Sequence, residues 1–122
     1  MPVKINKPSV FESIGNIPIE IAEYFGKVNT DQNDVSIAYL KCPGHWVEPG
    51  QCPEFDEYTV VLKGTLRIAV KEKIYDVNSG EAILTKKGEW IQYSTPTDEG
   101  AEYIAVCVPA FTMDTAHREE SI

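Results

Sequence analysis

The densest run of chemically capable side chains lies between His45 and Glu57, where Glu48, Gln51, Cys52, Glu54 and Asp56 crowd one stretch broken by proline and glycine. A cysteine thiolate, a glutamate and a histidine can together hold zinc. Cys52, Glu57 and His45 therefore form one candidate set for a divalent transition metal, with Gln51 as an alternative to the histidine. The same residues have a plainer reading, with His45 on a surface turn after Pro43-Gly44 and the acids facing water. Cys52 also carries an atom capable of nucleophilic attack, but only His45 is at hand to lower its pKa, and a buried inert thiol is the alternative. Trp46 and Trp90, with Phe55 and Tyr58, have the bulk to wall a small-molecule site, or else to fill a core or a dimer contact. Cys107, inside the apolar run YIAVCV, reads as core. His117 and Arg118 stand in VPAFTMDTAHREE, which reads as a solvated tail, the alternative being that Phe111 folds it back over a barrel mouth; an anion-binding role for Arg118 stays open.

Side chains this far apart need a sheet to bring them together. Val35 to Leu40, Tyr58 to Leu62, Leu66 to Val70 and Tyr103 to Val108 are rich in β-branched and aromatic residues and read as strands. Ile17, Ile19 and Ile21 alternate along an earlier one, and AILT after Gly80-Glu81 and WIQYS after Gly88-Glu89 add two more. Short strands separated by glycine and proline turns predict an all-β sandwich or barrel with little helix, the best helical candidate being a turn or two near Pro8-Ser9. Both faces of the strand at Tyr58 are apolar, which predicts that both are covered, one by the barrel interior and the other by a second sheet segment or a second subunit. A homodimer is the default expectation. No linker or repeat divides the chain, so residues 1–122 read as a single domain, with 1–30 as an N-terminal strand or arm and 109–122 as a C-terminal tail.

Composition narrows the partners. The chain has 122 residues, eleven basic against nineteen acidic, for a net charge of −8. That balance opposes nucleic acid and anionic membrane, both of which need a basic surface. No run reaches the roughly 18 apolar residues of a membrane span, and the first residues lack a signal-peptide core. Three cysteines make no disulfide framework. A soluble, cytoplasmic domain that meets a small-molecule ligand is the expectation.

The stretches GHWVEPGQCPEFDEYTVVLKG and GEAILTKKGEWIQYST resemble the paired motifs of the cupin superfamily. Gly44, Glu57 and Gly64 fall on the spacing of the first motif, and Gly80 and Gly88 on that of the second. The resemblance implies a small jelly-roll barrel, the double-stranded β-helix. It also implies a metal held by two histidines and the glutamate of the first motif and one histidine of the second. Position by position, the histidines correspond to Gly50, Cys52 and Ile91, or to Gln51 and Pro53 for the first pair if one gap is a residue shorter. Only Glu57 survives either count, and glycine and isoleucine cannot coordinate a cation. The expectation is therefore no cofactor, with a metal on Glu57, Cys52 and His45 as the alternative.

If Glu57 points inward as the resemblance implies, alternation sends Thr59 and Val61 inward too, and the face carrying Ile91 carries Glu89 and Tyr93. The pocket would set Glu57 against Tyr93 among apolar walls, with Gln51, Cys52, Thr59, Trp46 and Ile91 as ligand contacts. Desolvation would raise the Glu57 pKa toward the range of a general acid or base; the alternative is a structural carboxylate. Three functions follow: a metal-independent binding protein, lyase or isomerase using Glu57 and Tyr93; a metal-dependent enzyme; or a non-catalytic accessory subunit. PEFDEYTVVLKGTLRI further resembles the ethanolamine-utilisation cupins, to which a phosphotransfer activity is attributed. No glycine-rich phosphate loop is present to support that activity here.

Overall fold

A computed structural model describes all residues, Met1–Ile122. The chain runs β1 (Ser9–Ser13), β2 (Ile19–Phe25), β3 (Ser36–Cys42), β4 (Asp56–Ala69), β5 (Ile74–Asn78), β6 (Ala82–Thr85), β7 (Gln92–Ser94), β8 (Ala101–Val108) and α1 (Met113–Ala116). All the pairings are antiparallel. One sheet is ordered β1-β2-β3-β8-β4, with β6 on the far side of β4. The distal half of β4 leaves that sheet and pairs with β5 and β7 instead. One strand thus serves both layers of a jelly-roll barrel, and the fold is the all-β one expected.

The sequence suggests two strands interrupted at Gly64, whereas the structure has a single 14-residue strand. It changes layer through a register shift between Val61 and Lys63. Gly64 follows at φ 72°, and a Cβ there would lie 2.0 Å from the Gly100 carbonyl oxygen. No other residue fits that bend without moving the backbone. Isoleucines and aromatics of alternating strands fill the interior, with Trp46, Leu66, Ile68 and Ile91 all within 1% of complete burial.

Two expectations are corrected. Pro8-Ser9 does not begin a helix: Ser9–Ser13 pairs with Ile19–Glu23 as a sheet-edge strand, where a proline just ahead of the strand leaves no ladder bond unmade. The only helix is the short α1, closed at its N-terminus by reciprocal bonds between Thr112 and Thr115. The C-terminal segment is not a solvated tail either. Ala116 is fully buried with Phe55 and Cys107, and Phe111 packs against that cluster. The Glu54 amide bonds the Thr115 carbonyl at 2.9 Å, and the Glu119 amide bonds that of Gly50 at 2.8 Å. Apolar residues at this spacing bury enough surface to hold the segment down.

The outer face of β4 is left bare by this chain. Tyr58, Val60 and Leu62 are 47%, 45% and 47% exposed, while Thr59 and Val61 between them are buried. No helix is long and apolar enough to cross a membrane.

Candidate functional site

Three pieces of chain meet inside the barrel. β4 alternates, so Glu57, Thr59 and Val61 point in; on the opposite wall Ile91, Tyr93 and Thr95 do the same. The loop between Val47 and Gln51 is stitched alongside that wall. The Glu48 amide donates to the Tyr93 carbonyl at 3.2 Å, and Gln51 and Ile91 exchange amide-to-carbonyl bonds at 2.9 Å each. This turns the side chains of Glu48 and Gln51 inward. The C-terminal segment then lies against Gln51 and inserts Arg118.

Arg118 is held from three directions. Its Nε donates to Gln51 Oε1 at 3.1 Å, its Nη1 donates to Ser13 Oγ at 2.5 Å, and its Nη2 stands 3.5 Å from Glu48 Oε2. The cavity it closes measures about 50 Å³ and is lined on its polar side by Glu48, Gln51, Glu57, Tyr93, Tyr103 and Arg118. At about 10–15 Å³ of such space per water, it has room for roughly three or four waters or a compound of a few heavy atoms.

Burial dominates the electrostatics. Desolvation pushes Glu57 up to about 7 even though Arg118 and the Tyr93, Cys107 and Thr59 side chains pull it down. Glu48 is likewise pushed up to about 7 by desolvation, with Arg118 opposing and the Glu57 charge adding to the rise. Tyr93 lies well above the ordinary phenol range, first from burial and then from the Glu57 charge, and its hydroxyl sits 3.3 Å from that of Thr85. Tyr103 is raised well above the ordinary range by burial as well, as is the Cys107 thiol. A carboxyl that titrates near neutrality can give or take a proton, and a phenol raised this far stays protonated and donates a hydrogen bond.

Glu57, Tyr93 and Gln51 do share the cavity. Thr59 is buried, and its effect on the site is through Glu57; its hydroxyl has no partner in full hydrogen-bond geometry. Other candidates lie elsewhere. Cys52 is exposed, its thiol donating to the Gly88 carbonyl at 3.3 Å, so it does not reach Glu57. The turn that ends at Gly88 holds it outside. His45 is exposed as well and faces Asp98 at 2.6 Å. Glu57, Cys52 and His45 are thus not assembled, and no three His, Cys, Asp or Glu side chains gather into a set that could hold an ion. Trp46 and Ile91 belong to the packed core, not to the cavity wall, and Glu89 points to solvent.

Two participants fall outside the sequence reading. Glu48 reads as a surface acid but is 4% exposed. Its inward turn comes from the Val47–Gln51 loop pairing with β7, which no local pattern encodes. Arg118 reads as part of a free tail, although Phe111 and Ala116 ahead of it are the apolar signal that the segment docks.

With that geometry in hand, comparison with known proteins gives a consistent answer. A family model for the cupin domain matches residues 43–107. A protein called endoribonuclease YbeY, from Myxococcus xanthus strain DK1622, is 36% identical over 99 residues, covering 81% of this chain and 34% of that one. The chain therefore spans about a third of the length of the curated relative it matches. Among solved structures, oxalate decarboxylase from Bacillus subtilis superposes with a TM-score of 0.74 at 14% identity, over 97% of this chain and 33% of that one. A predicted oxalate decarboxylase from Thermotoga maritima gives 0.72 at 18% identity, over 89% of this chain and 99% of that one. The Bacillus enzyme is described with Mn(II) centres. At such identities the likeness speaks for the fold alone.

Proposed function

This chain belongs to the cupin domain family, and from that membership we propose that it is a small-molecule-binding cupin that moves a proton with Glu57 and needs no metal to do so. One observation carries the reading: a carboxyl group with a pKa of about 7 faces a small cavity shared with a phenol that stays protonated.

The positions that the family resemblance assigns to metal ligands do not fit a transition metal. Gly50 offers no side chain, and a Cβ there would lie 2.5 Å from the Trp90 ring. Ile91 is core, and Cys52 opens to solvent. A site of this kind asks for three or four donors, and of the positions the resemblance assigns only Glu57 and, on the shorter count, Gln51 face inward. Arg118 brings one positive charge to the cavity, and that charge lowers the pKa of both carboxyls.

Glu57, in its carboxylate form, takes a proton from a bound compound, and in its carboxyl form returns one, which is the chemistry of a lyase or isomerase. Tyr93 donates a hydrogen bond to oxygen on which negative charge develops. Arg118 and Gln51 orient the compound, and the packed C-terminal segment keeps bulk water out.

The bare outer face supports a second element of the proposal, a homodimer. Tyr58 faces the exposed Leu84 on β6 and the half-buried Val106 on β8, and Val60 faces the half-buried Ile104, so the apolar side chains adjoin across three strands. A patch of this kind on a sheet suits a self-complementary two-fold contact.

The test of the proton transfer is exchange. Small compounds incubated with the protein in deuterium oxide are followed by proton NMR for C–H loss. Catalysed exchange that vanishes in Glu57→Gln is the expected result. Binding that persists unchanged in Glu57→Gln, without exchange in either protein, would make Glu57 structural and overturn the reading.

A further inference from the structure

The charges around the cavity do not balance, and its walls point to what completes them. Three carboxyl groups line it, those of Glu23, Glu48 and Glu57, against the guanidinium of Arg118. Glu23 is satisfied locally, because its Oε2 accepts the Val28 and Asn29 amides at 2.9 and 3.0 Å. Glu48 has the Arg118 contact at 3.5 Å. Glu57, 8% exposed, has no cation or backbone amide of its own; only the side chains of Tyr93, Cys107 and Thr59 approach it as donors. Two carboxyls are left to share one cation.

The rest of the wall is aromatic. Phe11, Tyr93, Tyr103 and Phe111 all line the cavity. Phe11 and Phe111 lie nearly parallel, with centroids 6.4 Å apart. Phe111 already meets a cation, for the Arg118 guanidinium carbon is 5.6 Å from its ring centroid. Aromatic rings beside a carboxylate are the recognition chemistry of alkylated ammonium ions, since the ring faces attract positive charge and the ring edges accommodate methyl groups.

We propose that the cavity takes a small alkylammonium ion, its charge against the Glu57 carboxylate and its methyl groups among Phe11, Tyr93, Tyr103 and Phe111. The size agrees: about 50 Å³ admits roughly three or four heavy atoms, the scale of dimethylammonium or trimethylammonium. This inference rests on the reading of the cavity as the ligand site and adds the class of ligand.

The experiment uses the full chain, labelled with carbon-13, titrated separately with dimethylammonium chloride, sodium acetate and isopropanol at matched ionic strength. Dimethylammonium should give a saturable shift of the Glu57 carboxyl carbon and the Tyr93 and Tyr103 rings. The Kd should lie in about the millimolar range, as befits so few atoms. Acetate should give none. E57Q should weaken dimethylammonium about tenfold or more by removing the charge-assisted contact. Should E57Q fail to fold, F111L, which keeps the wall apolar but removes a ring, must weaken dimethylammonium severalfold and leave isopropanol unaffected.

Saturation by acetate or isopropanol but not dimethylammonium would overturn the ammonium proposal while leaving the cavity a ligand site. Equal dimethylammonium affinity in the wild type and in E57Q would overturn it too. Silence toward all three probes would overturn both the ammonium proposal and the ligand-site reading beneath it.

Discussion

Arg118 and Glu48 face each other inside the barrel at 3.5 Å, the arginine side chain 15% exposed and the glutamate 5%. They come from opposite ends of the folding problem, Glu48 from the loop stitched to β7 and Arg118 from the segment that closes the cavity. Neither is stable there alone, because a buried charge without its partner keeps its desolvation cost.

Arg118→Ala should therefore destabilise the fold by about 2–4 kcal/mol, since it also removes the bonds to Ser13 and Gln51. Arg118→Lys should recover only part of this, as an ammonium cannot span three partners in a fork. Adding Glu48→Gln to Arg118→Ala should restore part of the loss. Urea unfolding of the wild type, Arg118→Ala, Glu48→Gln and the double variant measures the coupling, and additive effects would show that the pair does not interact.

Stability should fall as pH rises from about 5 to about 8. Glu48 and Glu57 have folded pKa values of about 7 against an ordinary 4.5, so the folded chain holds more protons than the unfolded one in that window. Their stabilising contribution is complete below about 4.5 and lost as pH passes through 7. The total is at most about 7 kcal/mol, half from each carboxyl. Unfolding midpoints at pH 5.5 and 8 test the sign, and the dependence should shrink in Glu57→Gln. A midpoint that does not fall with pH would show that neither carboxyl holds its proton in the folded chain above pH 5.5.

Tyr93→Phe keeps the ring and removes the hydroxyl that helps hold the Glu57 pKa down. The Glu57 carboxyl should then titrate at a higher pH than in the wild type, readable from its carbon-13 shift. An unchanged titration would separate the two groups.

Cysteine reactivity gives a quick check of the architecture. Cys52 is exposed, whereas Cys42 and Cys107 are buried, and desolvation pushes Cys42 up to about 12. One thiol per native chain should react with a bulky reagent, and mass mapping should place it at Cys52. In Arg118→Ala, with the closing segment loosened, Cys107 should begin to react as well.

Val60→Glu should convert the proposed dimer to a monomer, as a charge in the middle of the bare face of β4 opposes a two-fold contact. Light scattering reads the result directly. A wild-type mass of 13.6 kDa at micromolar concentration would remove the dimer.

The strands were legible because they depend on period-two alternation, which is local, and the inward face of Glu57 because the family resemblance implied it. Glu57, Thr59 and Val61 follow one another by that rule and are buried as it requires. Cys52 was named from its motif position alone, and it lies in the loop before Asp56, where β4 begins and no period applies. The inward turn of Glu48 and the docking of Arg118 depend on contacts with β7 and with the 50–54 loop, which exist only once the barrel has closed. Ile74–Asn78 escaped notice as a strand for a similar reason: four of its five residues are exposed, so little apolar pattern marks it.

β4 has one more consequence. Glu57 sits on its first half, and Ile68, the register partner of Tyr93, on its second. The gap between Glu57 and Tyr93 is therefore gauged along a single continuous beam, jointed where the register shifts between Val61 and Lys63 and the chain bends at Gly64. Jostling of the surface loops leaves that gauge untouched, whereas any change at Gly64 resets it from a distance.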